Sequence, residues 1–240
     1  MIARLSCKNE ANSLGTIGTA TYPTVQSAFR AFNAAFEGVV PYMYLDIKGL
    51  VTVGIGNLID PVELAQALPF RWKNSPGSPA TPEHIAAEWQ RLKDDPALAR
   101  AGHQACAPLT RLELDDAAID SLIARRLADN EAHLKSREWF RQFDAWPADA
   151  QLGLLSMAWA MGPGGPGEFE HFRAACLGLD FAAAAAECGI EDIGNPGLRA
   201  RNQADVALFL NAARVLENSA AFDPTELYYP RLVGDSLQRA

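Results

Sequence analysis

Long apolar runs are missing from this chain. No stretch approaches the roughly 20 consecutive apolar residues that cross a bilayer, so no membrane-spanning helix is expected. Histidine and cysteine are scarce, at four each. Neither His84, His103, His133 and His171 nor Cys7, Cys106, Cys176 and Cys188 fall at metal-ligand or CxxC spacing, so no metal and no cofactor is implied. Free buried thiols are the simplest reading of the cysteines, with a Cys176–Cys188 bridge after export as the alternative. Positive charge is in deficit, with 21 Lys and Arg against 29 Asp and Glu, for a net charge of −8. Nucleic acid is held by clustered Lys and Arg, so it is a poor partner for this chain. Residues 1–21 hold no apolar core of signal-peptide length, because Arg4, Lys8, Asn9 and Glu10 interrupt it. The expectation is synthesis in the cytoplasm without a Sec address. The glycine-rich run Gly162 to Gly167 lacks the Lys-Ser/Thr ending of a phosphate loop, and its prolines have no N–H to donate. It reads as a connection between helices, and Gly15-Thr16-Ile17-Gly18 as a flexible lead-in.

What is present describes an ordinary globular chain: 240 residues, 49% apolar and 21% charged, without internal repeats. That length allows one large domain or two small ones and buries roughly 70–75% of the unfolded surface. The informative stretch is Thr24 to Leu58. Val25, Ala28, Phe29, Phe32 and Phe36 recur at helical spacing, Thr24 is placed to cap the start, and Gly38 to end the helix. Glu37 therefore sits on the last turn, facing the negative end of the helix dipole at a cost of roughly 0.3–1 kcal/mol. It is either a solvated residue at a frayed end or a carboxyl with a task. Desolvation in a cleft would be needed for such a group to hold a proton near neutral pH.

The next segment separates those readings. Pro41 to Asp46 is extended, Ile47-Lys48-Gly49 is a turn, and Leu50 to Ile55 is β-branched and apolar. A three-residue loop sets Asp46 opposite Leu50, which places Asp46 and Thr52 on one face and Val51, Val53 and Ile55 on the other. Gly54 and Gly56 share the face of Thr52 and leave it open. A helix-end carboxyl then faces a hairpin carrying a second carboxylate and a hydroxyl.

The order Glu37, eight residues, Asp46, five residues, Thr52, followed by Val53-Gly54-Ile55-Gly56, resembles the phage-type lysozymes, glycoside hydrolase family 24. Tyr44 and Gly49 match as well, and Asn57 stands where many members carry His. A second match is Pro196-Gly197-Leu198, then Arg201 and Asp205, where the family usually has Arg-Arg and a Glu. The Gln151…Leu155…Trp159-Ala160-Met161-Gly162 order is similar to the family's central helix, with Ala160 where Asn is frequent. The resemblance implies an α+β, mostly α fold, lysozyme-like and two-lobed, with a small β-hairpin lobe and a helical lobe. It divides the chain into a lead-in (1–23), a catalytic domain (24–216, with a rim insertion at about 69–95) and a C-terminal extension (217–240).

Elsewhere the chain is helical. Asp60-Pro61 caps a short helix through Leu68, Phe70 to Pro79 is a loop, and Thr81-Pro82-Glu83 opens a helix to about Lys93. Trp72 and Trp89 read as packing residues before sugar-stacking ones. Leu114-Asp115 starts a long helix to about Leu134, with Ile119, Leu122, Ile123 and Leu127 as its stripe and Arg125 and Arg126 as a solvated face. Trp146-Pro147 begins a helix apolar on most sides, hence buried.

By resemblance, Glu37 is the general acid of a muramidase that cleaves the β-1,4 bond between N-acetylmuramic acid and N-acetylglucosamine. Asp46 and Thr52 activate and hold water, Tyr44, Gly56, Asn57 and Arg201 bind substrate, and Arg201 lies near the Glu37 helix end. Peptidoglycan glycan strands are the implied partner, the chain acting as a monomer on the wall of a target or host cell. An immunity protein and a secretion-machine carrier are the other candidate partners. An acidic chain without a signal, with added rim and tail segments, suits an injected bacteriolytic toxin somewhat better than an endolysin. A lytic transglycosylase using Glu37 alone and a non-catalytic wall-binding module are the alternatives.

Overall fold

The computed structural model describes residues 21–75, 77–193 and 197–231, and the lead-in with Cys7 lies outside them. It is mostly helical, 59% helix against 8% strand, which is the α+β, mostly α class. No helix among the described residues is long and apolar enough to cross a membrane.

Helix α1, Pro23–Glu37, buries Val25, Phe29, Phe32 and Asn33 and ends at Gly38, whose φ of 71° only glycine adopts readily. It begins one residue before the expected Thr24 cap. Proline fits the first helical position, where no N–H is needed, so Tyr22 precedes it and the Thr24 hydroxyl instead donates to the Thr225 carbonyl at 2.7 Å. Strands β1 (Val40–Leu45), β2 (Val51–Gly54) and β3 (Asn57–Leu58) form an antiparallel sheet in that order. Tyr44 pairs with Thr52 and Leu45 with Val51, and the Asp46 N–H donates to the Leu50 carbonyl, which is the expected turn register.

The segment after the sheet supports it. Helix α2 (Val62–Gln66) has no side-chain cap. The Asp60 carboxylate expected to supply one accepts instead from the Val51 N–H and from Lys93 Nζ at 2.8 Å, an ion-paired position that is electrostatically stronger. The stretch expected as a loop contains β4, Arg71–Trp72, which pairs antiparallel with β5, Leu112–Glu113. Helix α3 (Pro82–Lys93) starts with a capping box between Thr81 and His84. Its Lys93 also donates to the Gly49 carbonyl and its Trp89 to the Ile59 carbonyl. Trp72 packs edge-on against His84, and both tryptophans are partly buried against the core, in keeping with packing roles. Short helices α4 (Leu98–Ala101) and α5 (His103–Cys106) complete this region.

Helix α6, Asp116–Lys135, leads to α7, Ala148–Met161, in which every residue from Ala148 to Trp159 is buried. Helices α1, α6 and α10 (Leu198–Glu217) pack against α7, and α8 (Glu170–Leu177) and α9 (Phe181–Glu187) close the far side. Phe140, Phe143, Trp146, Phe172, Phe181 and Phe209 meet there in edge and stacked ring contacts. Cys106, Cys176 and Cys188 are free and buried, so the alternative bridge between the last two is not formed.

Residues after α10 fold back onto the body. The buried Asp149 carboxylate accepts from the backbone N–H groups of Tyr228 and Tyr229 and from Asn211 Nδ2, at 2.9–3.0 Å. Ala148 N–H donates to the Pro224 carbonyl, and the Tyr229 ring meets Phe32 edge-on. The segment expected to be an extension packs against the body as far as Arg231, with Leu227 and Tyr229 half-buried on the core.

Candidate active site

Glu37 owes its position to α1. Phe29 and Asn33 precede it by eight and four residues, so the face that buries them carries Glu37 to the helix end over the body of the protein. Its side chain is 36% exposed, and Oε1 accepts from Arg201 Nη2 at 2.7 Å. Arg201 is 1% exposed and comes from the first turn of α10. Its other nitrogen, Nη1, donates to Asn33 Oδ1 at 2.8 Å and Ser156 Oγ at 2.9 Å, and the guanidinium lies 4.7 Å from the Phe36 ring centroid. This buried cation fixes one oxygen of Glu37 and leaves the other.

That second oxygen faces the hairpin. A Cβ added to Gly56 would stand 3.9 Å from Glu37 Oε2 and 4.0 Å from Arg126 Nη1. Gly56, at φ 80°, is therefore where the sheet approaches the helix end. Arg126 was expected on a solvated face of α6. Instead it turns inward, donating to the Gly56 carbonyl at 2.7 Å and the Trp159 carbonyl at 2.8 Å, with its guanidinium 3.9 Å from the Trp159 ring centroid. The physical reason is its register: it follows Ile123 by three residues and Ile119 by seven, on the buried face. Burial pushes the Arg126 guanidinium down to about 10, with the Arg201 charge adding to it and Glu37 and Tyr44 opposing. Arg125 stays exposed. The Trp159 indole N–H donates to the Ile55 carbonyl at 2.8 Å and ties α7 to the sheet.

Tyr44 joins the two sides. Burial pushes its phenol up to about 12, with Glu37 and Asp46 adding negative charge and Arg126 opposing them. Asp46 itself is half-buried, and its Oδ1 accepts from the N–H groups of Lys48 and Leu50 at 2.8 and 2.9 Å. One oxygen thus holds the hairpin turn closed, and among the described residues Oδ2 accepts no hydrogen bond.

The remaining sequence candidates sit deeper. Thr52 is only 4% exposed, and its hydroxyl donates back to the Leu50 carbonyl at 3.2 Å. Asn57 is also 4% exposed, and its Oδ1 is 3.1 Å from where a Gly54 Cβ would stand. Gly54 faces Asn57 and Ile119 and is buried, so it does not leave the Thr52 face open as expected. The strand's twist around two positive-φ glycines, Gly54 and Gly56, breaks the simple alternation on which that expectation rested.

Glu37, Tyr44, Gly56 and Arg201 are thus brought together, with Arg126 added and with Asp46 near enough for its charge to act on the Tyr44 phenol. Ser156 and Asn33 are supporting residues that sequence reasoning did not single out, and Trp159, named only within the central-helix order, supports the site as well. Chemically, the arrangement is a partly exposed carboxyl held by one cation and near a second, with a phenol and another carboxylate beside it. Among the described residues no group of His, Cys, Asp and Glu is placed to hold a metal ion. Neither a comparison with models of known protein families nor one with curated proteins gives a match to this chain.

Proposed function

We propose that the chain is a peptidoglycan hydrolase, a muramidase of the phage-type lysozyme kind with a two-lobed lysozyme-like fold. One observation carries the reading: a helix-end glutamate, fixed through one oxygen by a buried arginine 164 residues away, presents its other oxygen to a glycine of the adjoining sheet. A carboxyl held at one oxygen keeps its direction while the other delivers a proton, a general-acid role worth about 10²–10⁴-fold. Asp46, through its unengaged Oδ2, stabilises oxocarbenium-like charge or activates water, and the Tyr44 phenol lies within the field of both carboxyls. Thr52 acts through the hairpin rather than by touching water directly, given its burial. Substrate contacts fall to Tyr44 and Gly56, while Asn57 supports the strand and Arg201 supports Glu37.

Glu37→Gln is expected to abolish clearing of purified peptidoglycan, and Asp46→Asn to reduce it at least 100-fold with the protein still folded. Full activity in Glu37→Gln would overturn the proposal. The anomer released, followed by proton NMR, reports whether water attacks directly or a covalent intermediate forms.

One observation favours a second reading. Because Asp46 Oδ1 closes its own turn and Thr52 is buried, Glu37 is the one carboxyl of the pair not tied to the hairpin backbone, as a lytic transglycosylase acting through Glu37 alone would require. Anhydro-muramyl products in mass spectra would decide for it. For biological use, the proposal is a bacteriolytic effector. Expression with an added periplasmic signal should lyse cells that tolerate the same chain in the cytoplasm.

A further inference from the structure

Behind Arg201 lies a second carboxyl that the proposed chemistry does not use. Asp205 is one turn further along α10, on the same face, and is wholly buried. The Ser156 hydroxyl is close enough to draw its pKa down, yet among the described residues neither carboxylate oxygen completes a well-formed hydrogen bond. Unpartnered buried carboxyls are rare because an isolated charge there is strongly disfavoured.

Arg201 explains the arrangement. A guanidinium this deeply buried needs a counter-charge, and its ion-pair partner is Glu37. If Glu37 carries the proton that a general acid must donate, that counter-charge disappears. We propose that Asp205 is a positioning residue for Glu37: a second carboxyl sharing one buried arginine, which takes over the negative charge when Glu37 is protonated. The idea rests on Glu37 being the proton donor.

The groups around the pair fit this exchange. Glu37 meets Arg201 from α10, Arg126 from α6 and the Tyr44 phenol from β1. The charge of Asp205 is felt by, or feels, Arg201 on its own helix, the Ser156 hydroxyl on α7, the Cys188 thiol after α9 and the Tyr229 phenol of the returning C-terminal segment. Arg201 is the cation both carboxyls feel. Burial pushes Asp205 up to about 7, with Ser156 and Arg201 pulling it back, so its proton leaves in the range where a wall hydrolase works.

The test is reciprocal. The Asp205 side-chain carbon is followed by NMR against pH in the wild-type chain and in Glu37→Gln. With Glu37 neutral, Asp205 is left as the counter-ion for Arg201, and its midpoint should fall, because removing a nearby negative charge favours the ionised form. Equal midpoints in the two proteins would overturn the proposal. In the activity arm, Asp205→Asn should move the alkaline limb of kcat/KM for wall clearing to lower pH, and Asp205→Glu should return it. An unmoved limb in folded Asp205→Asn would also overturn it. Wild-type protein that clears no wall at any pH would remove the reading of Glu37 as donor, and with it the positioning role. The NMR midpoints would still show whether the two carboxyls are coupled, so the two failures are told apart.

Discussion

Replacing Arg201 by Met tests how much of the site is held by one buried cation. The substitution keeps an unbranched chain of similar reach beside the Phe36 ring but removes every donor. Bonds to Glu37 Oε1, Asn33 Oδ1, Ser156 Oγ and the Ser156 carbonyl are lost together. Asn33 and Ser156 are fully buried, so their freed oxygens have no water to turn to. Each unsatisfied buried group costs about 1–3 kcal/mol. Glu37 is more than a third exposed and can hydrate, so its share is small. Breaking a buried pair by removing one partner typically costs about 3–5 kcal/mol, and we expect the lower half of that range because Glu37 escapes to solvent. For a chain of this size, about 3–4 kcal/mol lowers the melting temperature by roughly 6–16 °C. Urea unfolding with an unchanged m value, together with calorimetry, measures it. A loss below about 1 kcal/mol would show that the buried network contributes little and refute the reasoning. Glu37→Gln serves as the control and should change stability by under about 1 kcal/mol.

Gly153→Ala places a methyl 3.0 Å from two carbons of the Phe209 ring where α7 meets α10. Overpacking of this kind costs about 1–3 kcal/mol, read as a lower urea midpoint. Asp149→Ala strips three donors of their acceptor and should lower stability by about 2–5 kcal/mol while making the chain after residue 217 cleavable by protease. Asp205 holds its proton in the folded state over a pH range where the unfolded carboxyl, at about 3.9, has lost it. Its contribution is therefore fully present below pH 4 and is lost as pH rises towards about 7. Asp205→Asn should flatten stability against pH in that window, measured by urea unfolding at intervals from pH 4 to 8, and an unchanged slope would contradict it.

Strong periodicity made the helices legible. The stripe of α1, the unbroken burial of α7 and the Gly38 stop all follow from residue order alone. The hairpin register was equally readable, because Gly49 at positive φ fixes the loop. What the sequence reading missed are polar residues doing work inside. Arg126 lies in register with buried apolar neighbours, Ile119 and Ile123 on α6, and Asp205, named in the sequence only as a motif position, lies in register with Leu208 and Ala212 on α10. Charge was weighed at Arg126 ahead of register, and register won because Gly56 and Trp159 supply partners from other elements. The β4–β5 pair was invisible for a different reason. Its strands are two residues each and forty apart, too short for any pattern to show.

The long-range partners also decide which carboxyl matters most. Glu37 and Asp46 look alike in the motif, each a lone acid beside a turn. In the folded chain, Asp46 spends one oxygen on the backbone of its own hairpin, bonds that any aspartate in such a loop would make. Glu37 is gripped by a side chain from α10, itself gripped by α1 and α7, so three helices fix its direction. Three helices converging on one exposed carboxyl is an arrangement that stability alone does not require, since a neutral apolar plug at the same place would avoid burying a charge. The burden of chemistry therefore falls on Glu37 first, and substitutions that loosen its arginine should lower kcat before they raise KM.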